Sequence, residues 1–233
     1  MGNKNSSTPK KREEIISFQQ KKCICKIYMF DQGILCGLSN GFFCLIPYPD
    51  KNHFIPVLFT TYRTITEKFI QNNNEIGLTL NNDKTKKTIT FDNTRKMYLN
   101  KEYDIVIIEI KPKQDKIHNF LELDESLQKP NLSEIYNQSN IYLICYGKDN
   151  KMDKYEGTIK EIEGQEIHHI SMTESGSGGC PILSPNSFKV IGMHLGRTSH
   201  EFKKGILIDA PLKEFISGEK FFKINLFIFK RFI

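Results

Sequence analysis

TESGSGGCPIL, residues 173–183, combines a glycine-rich loop with the beginning of an apolar run. Gly176, Gly178 and Gly179 stand close together, and glycine reaches backbone conformations that other residues adopt only with strain. The Pro-Ile-Leu run that follows is typical of a short strand. We therefore predict a tightly turned loop that is fixed at its end by a β-strand.

Short runs rich in apolar and β-branched residues lie on both sides of a polar connector, residues 111–139. Before the connector they are CICKIYMF, GFFCLIP, IPVLFTT, IGLTLNN, KTITFDN and YDIVIIEIK. After it they are IYLICYG, KYEGTIKEIEG, QEIHHISM, CPILSP, FKVIGMHLG and KGILIDAP. Because the strands do not alternate with long helices, the pattern predicts two all-β halves and not a βαβ sheet.

Four segments follow from this order. Residues 1–20 form a tail and a short helix, with Thr8 as its cap and Pro9 in its first turn. Residues 21–125 form the first β unit, and residues 126–217 form the second with a helix near 211–217. Residues 218–233 form an apolar and basic tail.

Composition excludes several classes of function. The net charge of +6 comes largely from the two ends of the chain, and no basic stripe interleaved with aromatic residues suggests nucleic-acid binding. The first 20 residues lack the apolar segment of a secretory signal, so we expect a cytoplasmic protein that is not secreted. The six cysteines are then expected to be free thiols. Their spacing does not indicate a metal site, and no cofactor is expected.

The N-terminal sequence MGNKNSS matches the acceptor pattern for N-myristoylation at Gly2. Lys10, Lys11 and Arg12 follow, and a basic cluster is the usual second signal for holding a singly acylated protein at a membrane. Peripheral membrane contact is therefore one interpretation of the N-terminus. The alternative is an unmodified flexible tail. The C-terminal FFKINLFIFKRFI has the composition for a further membrane contact, or for burial against the second β unit.

Five stretches, in this order, resemble the trypsin-like (chymotrypsin-fold) serine peptidases, in their small intracellular branch. They are NGFFCLIP at 40–47, PVLFT at 56–60, YDIVIIEI at 103–110, GSGGCPI at 176–182 and VIGMHLG at 190–196. The resemblance covers roughly residues 20–217. It implies two antiparallel β-barrels of the trypsin-like serine protease fold with short terminal helices, packed so that a peptide-binding cleft lies between the barrels.

The same resemblance implies which residues occupy the catalytic positions. Asp104 stands at the position of the aspartate, but Arg63 stands at that of the histidine and Gly178 at that of the serine. Arginine stays protonated and cannot act as a general base. It can form a bidentate ion pair with Asp104, which is the arrangement we predict. Without the resemblance, Arg63 and Asp104 would be read as ordinary surface residues.

Backbone features of the site are retained in the sequence. Gly176, Ser177, Gly178 and Gly179 form a loop able to present N–H groups to an anion. The resemblance also implies a specificity pocket with Thr173 and His194, in the position where glutamate-specific relatives carry a histidine. A histidine packed within a strand is the alternative interpretation of His194.

Two functions from different classes remain open. The first is a pseudoprotease that has lost both catalytic side chains and binds a peptide or protein in the cleft. The second is an active serine-type endopeptidase with a non-standard nucleophile, Ser177 or Cys180. No histidine occupies the position of the base in the sequence, which favours the first. A degenerate copy without a retained role is a third reading.

Overall fold

The computed structural model describes residues 9–31, 34–147, 151–197, 202–218 and 220–224. Gly2, Thr8 and residues 225–233, which carry several of the predictions above, lie outside these ranges. The described chain is mostly β, with two antiparallel sheets and short helices. None of the described helices is both long and apolar enough to cross a bilayer.

The first unit is a seven-stranded antiparallel sheet with the strand order β5-β4-β1-β2-β3-β7-β6. Its strands are β1 (Ile24–Asp31), β2 (Ile34–Pro47), β3 (Phe54–Thr60), β4 (Glu75–Leu80), β5 (Thr85–Thr90), β6 (Met97–Asn100) and β7 (Ile105–Glu109). The predicted first barrel is only partly realised, because the edge strands β5 and β6 are not neighbours in the hydrogen-bonded order of the described residues. Ile89 of β5 and Met97 of β6 nevertheless belong to one buried cluster, so the sheet curves around a common core.

The second unit is a closed six-stranded barrel, as predicted, with the order β10-β13-β12-β11-β8-β9. Its strands are β8 (Asn140–Tyr146), β9 (Met152–Glu163), β10 (Glu166–Ser171), β11 (Pro181–Leu183), β12 (Val190–Arg197) and β13 (Lys203–Leu207). Closure leaves each strand paired on both sides. The glycine-rich loop of residues 176–179 joins β10 to β11 and is therefore anchored to a rigid wall.

Alternating side chains along β2 and β3 build both cores at once. Phe43 and Leu58 point into the core of the first sheet, whereas Phe42 and Phe59 belong to the larger cluster shared with the second barrel. The Phe42 and Phe59 rings stack with centroids 5.0 Å apart. Because successive side chains of a strand face opposite sides, both faces of these strands must be apolar. That requirement explains the continuous apolar runs in the sequence.

The described residues form five short helices. They are α1 (Pro9–Lys22), α2 (Glu67–Asn72), α3 (Pro112–Asp115), α4 (Leu132–Tyr136) and α5 (Asp209–Ser217), with a 3₁₀ turn at Glu125–Gln128. Helix α1 extends two residues beyond its predicted end near Gln20. Helix α5 overlaps the helix predicted near 211–217. The polar connector contains α3, α4 and the 3₁₀ turn.

Helix α1 is fixed to the second barrel through Arg12 and Gln19. Arg12 donates a hydrogen bond to the Pro185 carbonyl (2.9 Å), and its guanidinium lies over the rings of Tyr142 and Phe188. Gln19 donates to the Phe188 carbonyl (2.9 Å). Protein groups already hold the Arg12 guanidinium, and its predicted contribution to attracting anionic lipid stays a prediction. Lys10 and Lys11 are exposed.

Candidate functional site

A cavity of about 530 Å³ lies between the two units and is lined by both. The first unit contributes Met29, Leu38, Ser39, Thr61, Arg63 and Thr64, and the second contributes residues 174–178, 194–196 and Lys203. Leu38 is exposed and apolar, whereas most of the opposite wall is backbone and polar side chains. The cavity thus combines an apolar patch, Met29 and Leu38, with hydrogen-bonding groups from both units. Among the described residues, no group of three His, Cys, Asp or Glu side chains is arranged to hold a metal ion.

Arg63 and Asp104 form an ion pair at one side of this cavity, in which the guanidinium contacts one carboxylate oxygen and the Arg63 backbone N–H contacts the other. Arg63 follows β3 and Asp104 precedes β7, and the pairing of Thr60 with Val106 brings these two turns to the same edge of the sheet. The Arg63 backbone N–H donates to Asp104 Oδ1 (2.9 Å), and Arg63 Nε donates to Asp104 Oδ2 (2.6 Å). Arg63 Nη2 contacts the same Oδ2 atom. Both oxygens of the carboxylate are therefore occupied.

The pair leaves part of the arginine available. The Arg63 side chain is 63% exposed, and Nη1 makes no hydrogen bond to any described residue. A Cβ built on Gly196 would lie 4.0 Å from Nη1, which places this nitrogen beside the backbone of β12. Arg63 consequently presents a permanent positive charge and unused donors to the cavity. It cannot accept a proton.

The glycine-rich loop is held in place by Asn40 of β2. The Asn40 amide donates from Nδ2 to the Gly176 carbonyl (2.9 Å) and accepts at Oδ1 from the Tyr146 N–H (2.7 Å). The Asn40 backbone N–H donates to the Gly178 carbonyl (3.2 Å). A single buried asparagine therefore connects the loop, β8 and the first sheet. The sequence motif NGFFCLIP includes Asn40, but its role depends on contacts more than 100 residues away.

Two of the four loop N–H groups are free for a ligand, and two are not. The Ser177 N–H donates to the Glu174 carbonyl (3.4 Å) and the Gly179 N–H to the His194 carbonyl (2.8 Å). Within the described chain, the N–H groups of Gly176 and Gly178 have no hydrogen-bond acceptor. The predicted anion-binding loop is therefore reduced to these two donors.

Glycine is required at position 179 by close contact as well as by conformation. Gly179 has φ +89°, and a Cβ there would lie 2.2 Å from the Asn40 carbonyl oxygen. Any side chain would push the loop away from the first sheet. Gly178 differs, since its added Cβ would meet only the Leu195 carbonyl, at 3.2 Å. Position 178 can accept a small side chain with a minor adjustment.

Ser177, His194 and His169 form a hydrogen-bonded row beneath the cavity. Ser177 Oγ lies 3.0 Å from His194 Nε2, and His194 Nδ1 lies 3.1 Å from His169 Nε2. Ser177 is 1% exposed and both histidine side chains are fully buried. The sequence interpretation placed no histidine near a candidate nucleophile and is therefore incomplete for Ser177. The pairing of β11 with β12 and the closure of the barrel bring these residues together.

Burial and the hydrogen-bond partners determine the protonation state and the tautomers of His194 and His169. Burial lowers the pKa of His194 to about 3 and that of His169 to about 4, with Lys203 and the neighbouring histidine adding to the effect for His194. Both rings are neutral at pH 7. The Ser177 hydroxyl donates to the Glu174 carbonyl (2.7 Å), so we assign the Nε2 hydrogen of His194 to Ser177 and the Nε2 hydrogen of His169 to His194. His169 Nδ1 is then an acceptor without a partner among the described residues.

The remaining predicted site residues take structural positions. Thr173 is buried, its hydroxyl lies 3.2 Å from that of Ser171, and it does not line the cavity. His194 lines the cavity and Thr173 does not, so the role of Thr173 in a specificity pocket stays a prediction. Cys180 is fully buried, and burial raises the pKa of its thiol well above the ordinary value. A thiol without thiolate character at neutral pH is a poor nucleophile, which removes Cys180 as a candidate.

No protein-family model and no curated protein sequence matches the chain significantly. Solved structures of trypsin-like serine proteases match its fold. The serine endoprotease from Yersinia pestis is 10% identical, with a TM-score of 0.62 over 91% of this chain and 68% of that chain. Deg5 is 15% identical, with a TM-score of 0.59 over 90% of this chain and 95% of that chain. An inactive form of Rv3671c from M. tuberculosis H37Rv is 14% identical, with a TM-score of 0.60 over 92% of this chain and 96% of that chain. At these identities the likeness shows the fold: that of the trypsin-like serine proteases.

Proposed function

We propose that this protein is a trypsin-like protease homologue that binds a peptide or protein segment in the cleft between its two β units and does not hydrolyse it. One observation carries the proposal. Arg63 and Gly178 line one cavity and Asp104 pairs with Arg63 at its side, and these are the positions where the resemblance to the proteases puts histidine, serine and aspartate.

Peptide hydrolysis by this route needs a nucleophile and a base in contact. Gly178 has no side chain, and an arginine guanidinium cannot act as a general base. Both carboxylate oxygens of Asp104 accept hydrogen bonds from Arg63, and no imidazole stands at position 63 for Asp104 to orient. The proton transfer that activates a serine therefore has no donor and no acceptor at these positions.

Peptide binding needs hydrogen-bond donors and apolar contacts but no nucleophile or base, and the cavity has both kinds of group. An extended peptide offers main-chain acceptors and apolar side chains at regular intervals. The N–H groups of Gly176 and Gly178, which have no acceptor among the described residues, can donate to the main-chain acceptors of the peptide. Met29 and the exposed Leu38 can contact its apolar side chains. A volume of about 530 Å³ accommodates a few residues of such a chain.

A second candidate function is hydrolysis with Ser177 as the nucleophile, since its hydroxyl contacts His194, which contacts His169 in turn. Two features oppose it. Ser177 is 1% exposed, and its hydrogen is directed to the Glu174 carbonyl at 2.7 Å and not to His194. To act as a base, His194 must carry its hydrogen on Nδ1 and donate it to His169 Nε2. His169 then carries its own hydrogen on Nδ1, which is a buried N–H without an acceptor among the described residues.

The binding function is tested by a substitution in the apolar patch of the cavity, Met29 and Leu38. Leu38→Asp should weaken retention of a randomised peptide mixture on the immobilised protein by about tenfold, because it replaces apolar contact area with a charge. Retention is measured by mass spectrometry. Phe54→Asp is the matched control, since Phe54 is exposed and apolar but does not line the cavity. Equal retention by wild type and Leu38→Asp, or none by either, would contradict the proposal.

The N-terminus supports a separate proposal of membrane contact. The myristoylation pattern at Gly2 and the exposed Lys10 and Lys11 support it, and each lysine near an anionic surface contributes about 1 kcal/mol. Gly2→Ala should move the protein from the membrane fraction to the soluble fraction, because a single acyl chain with two lysines is only marginally retained. Identical fractionation of wild type and Gly2→Ala would leave the N-terminus as an unmodified tail.

A further inference from the structure

We infer that the cleft selects its peptide by a free C-terminal carboxylate. The inference rests on the proposed function and names the chemical group that the site recognises. It is carried by two sets of donors near Gly178: two backbone N–H groups of the loop, and the unused nitrogen of the positively charged Arg63.

The two backbone donors belong to alternate peptide units of the loop. Two peptide units have both of their polar groups in hydrogen bonds: the unit between Gly176 and Ser177 and the unit between Gly178 and Gly179. Asn40 donates to the carbonyl of each unit, and the N–H group of each unit donates to another carbonyl. The units that contain the Gly176 and Gly178 N–H groups have no such hydrogen bonds to the described residues. A rigid frame thus presents two unsatisfied donors at the cavity that both glycines line.

Arg63 lies close to these donors. Its Nη1 atom lies 4.0 Å from a Cβ built on Gly196, and a Cβ built on Gly178 lies 3.2 Å from the carbonyl oxygen of Leu195. Leu195 and Gly196 are consecutive, and consecutive Cα atoms are about 3.8 Å apart. Arg63 and Gly178 therefore face neighbouring residues of the same strand. Because residue 178 has no side chain, a small ligand group can lie between Arg63 Nη1 and the glycine N–H groups.

Both signs of charge occur near this point, so the attraction for an anion rests on the unused donors of Arg63 and the loop. Asp104 is paired with Arg63. The Glu174 carboxylate also lines the cavity, and its Oε2 lies 2.8 Å from a Cβ built on Gly147. Lys203 adds a second cation to the lining, where it donates to the Thr173 carbonyl (2.9 Å), and the neutral His194 adds no charge.

A terminal carboxylate satisfies these donors better than an internal peptide group. It offers two oxygens and a full negative charge, one oxygen for the glycine N–H groups and one for Arg63. An internal peptide carbonyl offers one neutral oxygen, and the N–H on its other side would face the arginine. Recognition of a chain end by backbone N–H groups is an established mode of peptide binding.

The test compares two forms of one randomised hexapeptide mixture, with a free C-terminal carboxylate and with a C-terminal amide, on the immobilised full-length protein. Loss of a charge-assisted hydrogen bond typically weakens binding by tenfold or more, so we expect the acid forms to be enriched at least about tenfold over the amides. The wild-type protein alone gives this ratio. The result therefore does not depend on the folding of a variant.

Arg63→Gln should reduce the preference for acid over amide to near unity, whereas Lys68→Gln, the same charge change at an exposed lysine outside the cavity, should leave it unchanged. A thermal melt shows that each variant is folded. Equal enrichment of acid and amide forms would overturn the inference and leave the proposed peptide binding intact. Enrichment of amides only when they contain Asp or Glu would assign the site to a side-chain carboxylate and overturn the terminal assignment. Retention of neither form would contradict the proposed function itself.

Discussion

A serine introduced at Gly178 alone should leave the protein unable to hydrolyse peptides, and so should a histidine introduced alone at Arg63. In a Ser-His-Asp triad the members act as a unit, and loss of either the serine or the histidine costs roughly 10⁶ in kcat. Gly178→Ser supplies a nucleophile beside an arginine, and Arg63→His supplies a base with nothing to deprotonate. Only the double variant provides both.

The backbone around position 178 permits this experiment. A Cβ there meets only the Leu195 carbonyl at 3.2 Å, so a serine enters with a minor shift, whereas the same change at Gly179 would collide with Asn40. The measurement is labelling by a fluorophosphonate probe together with peptide turnover, for both single variants and for Gly178→Ser/Arg63→His. Gly178→Ala/Arg63→His is the matched control. Labelling of Gly178→Ser with Arg63 still in place would show that another residue supplies the base.

The free energy of unfolding should fall by about 4 kcal/mol between pH 7.5 and pH 5 because His169 and His194 are buried in neutral form. Burial holds their pKa values near 4 and 3 in the folded protein, against 6.5 for an unperturbed histidine. Between these values and 6.5 the unfolded chain binds more protons than the folded one, so stability rises with pH across this window. Each histidine contributes about 2 kcal/mol over the interval.

Urea unfolding at a series of pH values measures this dependence. His169→Gln should remove about half of the slope between pH 5 and pH 7, and His118→Gln, at an exposed histidine, should leave it unchanged. The carboxylates whose pKa values are lowered by hydrogen bonds, such as Asp83 and Asp92, lose their contribution only near pH 4 and below, so they do not confuse the result. A flat stability profile from pH 5 to pH 7.5 would mean that the two rings are not buried as a neutral pair.

The sequence predicted the strands because local patterns specify them, and it predicted the second barrel through the resemblance to the trypsin-like proteases. Apolar runs separated by turn residues locate strands without knowledge of their partners, and helix α1 has a recognisable first turn. Closure of the first unit could not be predicted in this way. Whether β5 and β6 pair depends on how far the sheet curves around Ile89 and Met97, and that is a property of the packed core.

The site shows the same division. The resemblance put Arg63 and Asp104 at two of the catalytic positions and so predicted their contact, which the pairing of β3 with β7 produces. The contact of Ser177 with His194 could not, because it needs the β11–β12 register. Asn40 gave one weak signal, a polar residue at the start of the apolar run GFFCLI, which suggests a buried hydrogen-bonding role without naming its partner.

The central claim is that the cleft binds peptide without cutting it, and the fate of the peptide tests it most directly. The wild-type protein is incubated with a randomised peptide mixture, the bound and free fractions are separated, and both are examined by mass spectrometry for new termini. The account predicts peptides recovered intact from the bound fraction and no cleavage products above those of a protein-free sample. Cleavage by the wild type that Ser177→Ala abolishes would contradict it, and would identify the Ser177–His194–His169 row as an active site.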